Sequence, residues 1–400
     1  MTALSGTNLS APQIKNWHRS NVLLFVFMGA SWTALMTRMP LVKSDLGVTA
    51  SQLGLALLCG GIGSLIGLNL VGKMIARFGT MLWISVFYPS LAAIVIINTL
   101  LIESHLAIGF AIGMFVMGMF MGVTDVSVNV DGTALEKATS KILMPRMHAG
   151  FSIGTLAGSG WGVLSASMNW PLLATSLPLA IVSLVLPFGV AKYLPGDTGI
   201  EAPAGKSAAD TDGTKPAHWF TFTLVLFGIG ILGITLGEGG ASDWMTLGFT
   251  QGYHATPANS GVGFALFFVG MVLVRYFGGN LADRIGKGRA LQLLAGIGVA
   301  GILLVILGAP NLVLGWIGAS LWGAGVALGF PLFLSAAGEG ENPAKRVGFV
   351  ASWGYGAFLA GPPLLGLLAD KFGMLNMFYL IGGFMVAALL VAGAAGNKRS

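Results

Sequence analysis

The stretch GGNLADRIGKGR, Gly278–Arg289, interrupts a chain that otherwise consists largely of long apolar runs. It places four charged residues and four glycines in twelve positions. Such a stretch fits two structures. One is a glycine-rich phosphate loop that opens a helix. The other is a short charged turn between two membrane helices, and the flanking sequence decides between them.

The composition indicates a membrane protein. Only 9% of the residues are charged and 55% are hydrophobic, with a mean hydropathy of +0.82, whereas soluble domains carry about 25% charged residues. One helical crossing of a bilayer needs about 20 mostly apolar residues. The apolar runs are continuous rather than alternating, which favours helices over a β-barrel. We therefore predict an all-α polytopic membrane protein. Its twelve transmembrane helices lie near 19–41, 51–73, 80–101, 106–129, 147–169, 171–191, 219–240, 259–281, 289–308, 312–335, 347–369 and 374–396.

The placement of basic residues predicts the orientation. Alternate loops hold most of the 21 Lys and Arg residues, and the opposite loops hold only Arg38, Lys43 and Lys371. The positive-inside rule then places both termini in the cytoplasm of a protein in the cell inner membrane. The net charge of +6 is a consequence of this topology, and we expect no nucleic-acid partner. We also expect the first span to be retained, because no signal-peptide cleavage site follows it.

Internal repetition divides the chain into two six-helix halves. The polar segment 194–218 is predicted to be a flexible cytoplasmic linker between residues 1–193 and 219–400. The pattern G-x-x-x-D-[RK]-x-G occurs after span 8 and again after span 11, with a weaker copy after span 2. Its members are Gly279, Asp283, Arg284 and Gly286, with Arg289 beyond them; Gly366, Asp370, Lys371 and Gly373; and Gly72, Arg77 and Gly79, with Ala76 at the acidic position.

This repetition favours a turn over a phosphate loop. A phosphate loop follows a strand and leaves its backbone N–H groups open to a nucleotide, whereas these glycines follow membrane spans. Asp283 would also repel phosphate. In a turn, the glycines allow close helix approach, and the carboxylate can bind a helix N-terminus or a neighbouring basic residue.

With these features, the chain resembles the major facilitator superfamily over essentially its whole length. The resemblance implies two pseudo-symmetric halves that alternate access to a mid-membrane site. Four stretches are similar to the bacterial branch that includes YbjJ and MosC, near the fucose-permease-like porters. They are RMPLVKSDLGVTASQLGLALL from Arg38, DVSVNVDGTALEKATSKILMPRMHAGFSIG from Asp125, EGGASDWMTL from Glu238 and GYGAFLAGPPLLG from Gly354. Ala76 and Asp125 depart from the pattern of drug–proton antiporters.

Ionisable residues inside spans are costly, and they are candidates for function. We expect Glu238, toward the periplasmic end of span 7, to be the proton-responsive carboxylate; the alternative is a hydrated glutamate at a helix end. Arg38 is predicted to pair with Glu238 or Asp243 as a periplasmic gate, or else to extend to the membrane interface. Arg275 is expected to pair with Asp283 or with helix-end carbonyls, and not to bind substrate.

A second polar group is expected near the cytoplasmic end of span 4. Asp125, Asn129 and His148 would form a gate, with His148 able to titrate near neutral pH. The alternative is a hydrogen-bonded cluster that only holds the short loop between spans 4 and 5. The aromatic candidates for the substrate cavity are Trp32, Phe151, Trp353 and Tyr355, although such residues also fill cores and interfacial belts.

The function expected from these features is secondary active transport of a small solute by alternating access, coupled to protons. The resemblance suggests a polyol, sugar or amino-sugar-like solute carried in symport. The alternatives are a proton-driven exporter of drugs or amphiphilic metabolites and a membrane sensor that does not transport. No nucleotide, nucleophile or metal motif is present, so we expect no enzyme activity, no cofactor and no metal. We expect the partners to be the solute, protons and the lipid bilayer, and the protein to be a monomer.

Overall fold

The computed structural model describes residues 9–141, 143–200, 220–339 and 342–396. The described chain forms fourteen α-helices and one short 3₁₀ segment. In chain order, α1 to α7 are Ala11–Thr37, Met39–Leu46, Ala50–Phe78, Thr80–Glu103, Ala107–Thr139, Met144–Ser167 and Leu172–Ala191. Helices α8 to α14 are Phe222–Gly252, Pro257–Ile285, Lys287–Leu307, Leu312–Val326, Gly329–Ala337, Pro343–Phe372 and Phe378–Val391, followed by the 3₁₀ segment Ala392–Gly396.

The predicted fold class is confirmed, because eleven of the twelve expected spans each coincide with one long helix and the tenth with two consecutive helices. Ten helical segments of the described chain are long and apolar enough to cross a membrane. The other two expected spans coincide with α6 and α13, which are 24 and 30 residues long. Continuous apolar sequence favours helices here because a lipid environment requires each segment to satisfy its own backbone hydrogen bonds.

Helices α5 and α8 extend well beyond the C-terminal limits that the sequence predicted, which changes the position of two candidate residues along their helices. Helix α5 continues to Thr139 and α8 continues to Gly252. Asp125 and Glu238 therefore lie near the middle of their helices. Their expected positions toward the cytoplasmic end of span 4 and the periplasmic end of span 7 stay predictions. The polar residues near these ends limited the apolar runs, but they did not terminate the helices.

The tenth span is not continuous. Helix α11 ends at Val326 and α12 begins at Gly329. Ala327 and Leu328 interrupt the helix, although the hydrophobic run crosses both without a break. The interruption leaves backbone carbonyls without their usual partners in the helix.

The chain divides into two compact units. The first comprises Met1–Leu35, Leu41–Val48 and Leu55–Ala209, and the second comprises Met36–Pro40, Thr49–Gly54 and Asp210–Ser400. Of the expected linker 194–218, residues 201–218 lie outside the described residues. Residues 194–200 are folded onto the first unit, where the Thr80 amide donates to the Thr198 carbonyl (2.9 Å). The expected domain limits stay a prediction.

In the first unit, α4 packs against α5 and α7, and α3 crosses α5 at glycines. A Cβ added at Gly63 would lie 2.0 Å from the Phe115 carbonyl oxygen, and one added at Gly118 would lie 1.9 Å from the Gly60 carbonyl oxygen. Such distances are too short for any side chain. These glycines are therefore close-packing positions between the two helices.

In the second unit, α8 packs against α13 and α14, while α11 packs against α9 and α10. Large aromatic side chains fill this core: Trp244, Trp322 and Phe378 are fully buried. The rings of Trp322 and Phe378 meet edge to face at 5.2 Å. This packing fixes the relative rotation of the helices that carry the charged residues discussed below.

The three copies of the glycine–aspartate motif end in the same backbone conformation. Gly79, Gly286 and Gly373 have φ angles of 76°, 85° and 91° with ψ angles of 168°, 151° and 156°. Only glycine adopts this region without strain. Each glycine N–H donates to the carbonyl four residues earlier, at Ile75, Ala282 and Ala369 respectively. The motif is thus a helix-ending turn, as the sequence predicted.

Candidate functional site

An ion pair lies near the middle of α8, in the second unit. The Arg275 Nη2 atom on α9 donates to Glu238 Oε1 at 3.0 Å. The side chains of Arg275 and Glu238 are 35% and 25% exposed, so both are partly accessible. The expected pairing of Arg275 with Asp283 is wrong. Sequence spacing could not reveal the actual pair, because its members lie on different helices.

The same arginine contacts the interruption between α11 and α12. Its Nε donates to the Ala327 carbonyl at 3.2 Å, so the expectation of a helix-end carbonyl partner is confirmed. One guanidinium therefore joins the Glu238 carboxylate to the broken helix. Transporters commonly place discontinuous helices at their binding sites, because freed backbone groups can bind ions or solute there.

The other residues of the expected periplasmic gate lie on two elements. Arg38 occupies the junction of α1 and α2 and is buried, with 6% of its surface exposed. Asp243 is half-buried on α8, one turn beyond Glu238. Ser242 lies on α8 between Glu238 and Asp243, and its hydroxyl donates to the Glu238 backbone carbonyl at 2.9 Å. Since Glu238 is bound to Arg275 in this structure, the pairing of Arg38 with Glu238 or Asp243 stays a prediction.

The structure brings together two of the three residues of the expected cytoplasmic gate. The Asn129 amide donates to the Asp125 carboxylate (3.1 Å) and to the Asp125 backbone carbonyl (2.8 Å), one turn earlier on α5. His148 lies exposed on α6, and its ring meets Phe25 edge to face at 5.1 Å. The three-residue gate therefore stays a prediction.

The aromatic candidates have different surroundings. Phe151 packs at the edge of the core of the first unit. Trp353 contacts Phe349, with ring centroids 6.3 Å apart, and its indole lies 2.8 Å from where a Cβ on Gly228 would stand. Tyr355 is 46% exposed.

Trp32 lies beside a cavity inside the first unit. The cavity contains about 660 Å³ of empty space, part of it open to the surroundings, between α1, α4, α5 and α7. Its walls are mainly apolar, with Met28, Leu91 and Met117 among the lining residues. The Ser31 hydroxyl, also in the wall, is buried and has no hydrogen-bond partner among the residues that the structure describes.

A buried carboxylate in the first unit was not among the residues expected from the sequence. Asp131, on α5, has no exposed surface. Its Oδ2 accepts hydrogen bonds from the Trp17 indole (2.7 Å) and the Asn21 amide (2.8 Å), both on α1. The Thr80 hydroxyl contacts Oδ1 at 3.5 Å. A comparison of the halves could have identified it, because the motif glycines Gly79 and Gly286 are 207 residues apart and Asp131 lies 208 residues before Glu339.

The motif copy at the end of α13 binds a helix N-terminus. The Asp370 carboxylate accepts hydrogen bonds from the backbone N–H groups of Ala50 (2.9 Å) and Ser51 (2.8 Å) at the start of α3. Burial by itself would raise the pKa of Asp370, but the hydrogen bonds from Ser51, Ala50 and Thr49 outweigh it and lower the pKa below its usual range. The predicted role of the motif carboxylate is confirmed at this position.

Comparisons with known proteins agree with this architecture. No family model matches the chain. It is 28% identical over 390 residues to an uncharacterised MFS-type transporter of Yersinia pestis, covering 95% of this chain and 94% of that protein. It is 26% identical over 375 residues to the membrane protein MosC of Rhizobium meliloti, covering 92% of this chain and 88% of MosC. The crystal structure of a mutant of the nucleoside transporter NupG superposes with a TM-score of 0.76 at 11% identity, covering 96% of this chain and 99% of that one.

In both fold and sequence, the chain is similar to multi-pass transporters of the major facilitator superfamily. Within that superfamily, the chain resembles the bacterial branch that contains MosC. These relationships support secondary transport as the general class of activity.

Proposed function

We propose that this protein moves a small polar solute across the bacterial inner membrane by alternating access, and that protons couple to transport at Glu238. The observation that carries the proposal is the partly exposed ion pair between Glu238 and Arg275 beside the interrupted tenth span. An ion pair inside a span is costly to retain unless it has a role.

The chemistry follows from the two charges. A proton on Glu238 neutralises the carboxylate and removes its attraction for Arg275. The guanidinium then keeps its bond to the Ala327 carbonyl and has free donors for a polar or anionic group of the solute. Proton release restores the ion pair and competes with the solute. In this way, one carboxylate links solute binding to the proton gradient.

The proposed solute class is a polyol, sugar or amino sugar. Arg275 and Glu238 offer donors and acceptors for hydroxyl or amino groups, and Trp353 and Tyr355 of the same unit are aromatic candidates for stacking on a sugar ring. We further propose that the protein acts as a monomer with both termini in the cytoplasm.

A second candidate function is export of an amphiphilic compound by proton antiport. The observation that favours it is the mainly apolar cavity beside Trp32, which suits a hydrophobic ligand better than a sugar. The two candidates differ in the solute that should move protons.

Reconstituted vesicles loaded with a pH-sensitive dye test both candidates. We would add polyols, amino sugars, hexoses, nucleosides and cationic dyes to vesicles with the native protein, Glu238→Gln or Glu339→Gln. Glu339 is a matched control, because it is also an ion-paired carboxylate of the second unit, bound to Lys287. The proposal expects proton movement with a polar solute that Glu238→Gln abolishes and Glu339→Gln retains.

Three other outcomes of this experiment would point to a different function or to a different role for Glu238. Proton movement only with cationic dyes would favour the exporter. Solute uptake by Glu238→Gln that still follows the proton gradient would contradict the assigned role of Glu238. Solute binding to the native protein without any movement would favour the sensor.

A further inference from the structure

The Asp131 carboxylate is buried and forms no ion pair with a basic side chain of the described residues. Its hydrogen-bond partners in the described chain are three neutral donors: Trp17 and Asn21 on α1, and Thr80 on α4. Asn21 and Thr80 have no exposed surface, and Trp17 has 2%. An ionised carboxylate in such surroundings bears a desolvation cost that neutral hydrogen bonds offset only in part.

The second unit contains a similar carboxylate, Glu339, whose negative charge is balanced by a basic residue. Lys287 follows the motif glycine Gly286, and its ammonium group binds the Glu339 carboxylate. It also donates to the Ser335 hydroxyl at 2.8 Å. The corresponding residue after Gly79 is Thr80, and the position 208 residues before Glu339 is Asp131. The two halves therefore share a contact between the residue after the turn and an acidic side chain.

The two copies of this contact differ in charge and burial. The carboxylate of the second unit has an ammonium partner and is 46% exposed. In the first unit, the carboxylate remains, is fully buried, and faces a hydroxyl in place of the ammonium group. One positive charge is therefore missing at the position where burial is deepest, and a proton can replace it.

The hydrogen-bond geometry leaves a place for that proton. Both short bonds, from Trp17 and Asn21, end on Oδ2. Among the described residues, the hydrogen-bond partner of Oδ1 is the Thr80 hydroxyl, at a long 3.5 Å. This hydroxyl can accept a hydrogen bond as well as donate one. The buried Asn21 Oδ1 has no hydrogen-bond partner in the described part of the chain, so a second acceptor belongs to the same cluster.

We propose that Asp131 is a proton-binding site of the first unit, where a proton on Oδ1 replaces the cation that its counterpart Glu339 binds. This site is separate from Glu238, and it goes beyond the proposed transport function because proton binding here requires neither a solute nor turnover. Its nearest partners are aromatic, amide and hydroxyl groups, so a change in protonation alters the hydrogen bonds between α1, α4 and α5.

Other titratable groups occur on the elements that surround this site, and none forms a hydrogen bond or ion pair with Asp131 within the described residues. They are Lys15, His18 and Arg19 on α1, Lys73 and Arg77 on α3, Asp125, Glu136 and Lys137 on α5, Arg146 and His148 on α6, and Asp197 in the segment that packs on Thr80.

Infrared spectroscopy of the purified full-length protein tests the proposal directly. A protonated carboxyl group has a carbonyl stretch distinct from that of a carboxylate. We expect a protonated-carboxyl band near neutral pH that Asp131→Asn removes and that alkaline pH titrates away. Asp131→Asn should keep the fold, because an amide resembles a protonated carboxyl in shape and can donate to Thr80. Identical native and Asp131→Asn spectra at every pH would overturn the proposal.

A second variant keeps the test decisive if Asp131→Asn does not fold. Thr80→Lys introduces the cation that Lys287 supplies in the other unit, and it should ionise Asp131 and eliminate the band. Glu339→Gln serves as the control, and its protonated-carboxyl band should match that of the native protein. A band retained in Thr80→Lys would contradict the assignment to Asp131. Since neither variant is scored by solute movement, failure here is distinguishable from failure of the Glu238 proposal.

Discussion

The Asp370 carboxylate accepts hydrogen bonds from both the backbone N–H and the hydroxyl of Ser51, a residue 319 positions earlier in the chain. The contact requires close approach of α13 and α3, and glycine permits it. A Cβ on Gly366, one turn before Asp370, would lie 2.4 Å from the Ala50 carbonyl oxygen. The glycine and aspartate of one motif copy thus perform two complementary tasks: one allows the approach and the other caps the helix N-terminus.

Replacing this cap should weaken the contact between α13 and α3. Asp370→Ala removes the acceptor of two backbone N–H groups, and helix caps of this kind contribute about 1 kcal/mol. We expect a lower thermal unfolding midpoint in detergent. Asp283→Ala, the equivalent change in the exposed second copy, is the matched control and should leave the midpoint nearly unchanged. Equal effects of the two substitutions would contradict the cap.

The same cap predicts a dependence on pH. Because hydrogen bonds lower the folded-state pKa of Asp370 below its ordinary value of 3.8, its stabilising contribution is complete above that value and is lost as pH falls through the lower folded-state pKa. The difference in unfolding midpoint between the native protein and Asp370→Asn should be constant near neutral pH and should shrink below about pH 4. A difference that grows on acidification would contradict the direction of the shift.

Exchanging the charges of Glu238 and Arg275 tests whether transport requires their ion pair. Glu238→Arg or Arg275→Glu alone should abolish solute-dependent proton movement, because each leaves two like charges together. The double exchange restores attraction, although the Ala327 carbonyl then loses the donor it has now. We expect partial recovery of solute binding, measured by the quenching of tryptophan fluorescence. Because the double exchange keeps the two charges paired, and partly exposed ion pairs contribute only about 0–1 kcal/mol, the thermal stability of the double variant should stay close to that of the native protein.

The turn between α9 and α10 should tolerate only glycine at Gly286. Its φ of 85° and ψ of 151° lie in a region that costs other residues about 1–3 kcal/mol. Gly286→Ala should therefore lower the unfolding midpoint. Gly296→Ala on α10 is the control, because nothing lies within 4 Å of an added Cβ there, and alanine favours a helix. A neutral result for Gly286→Ala would show that the turn relaxes.

Helix positions and turns could be predicted because they depend on local properties of the sequence. Continuous apolar runs satisfy the requirement that each segment complete its own hydrogen bonds in lipid, and the glycines of the repeated motif mark the turns. The ends of α5 and α8 were harder to place. Polar residues such as Asn129 bond within their own helix, so the helix continues where the apolar run stops.

The sequence by itself therefore determined the helical class, the spans, the repeated turns and the resemblance to major facilitator transporters. Only the tertiary structure decided that Arg275 binds Glu238, that Asp370 caps α3 and that Asp131 is enclosed by Trp17 and Asn21. The physical reason is geometric. One residue of helical rotation turns a side chain by about 100°, so the partners of a charge depend on how the helices pack against one another.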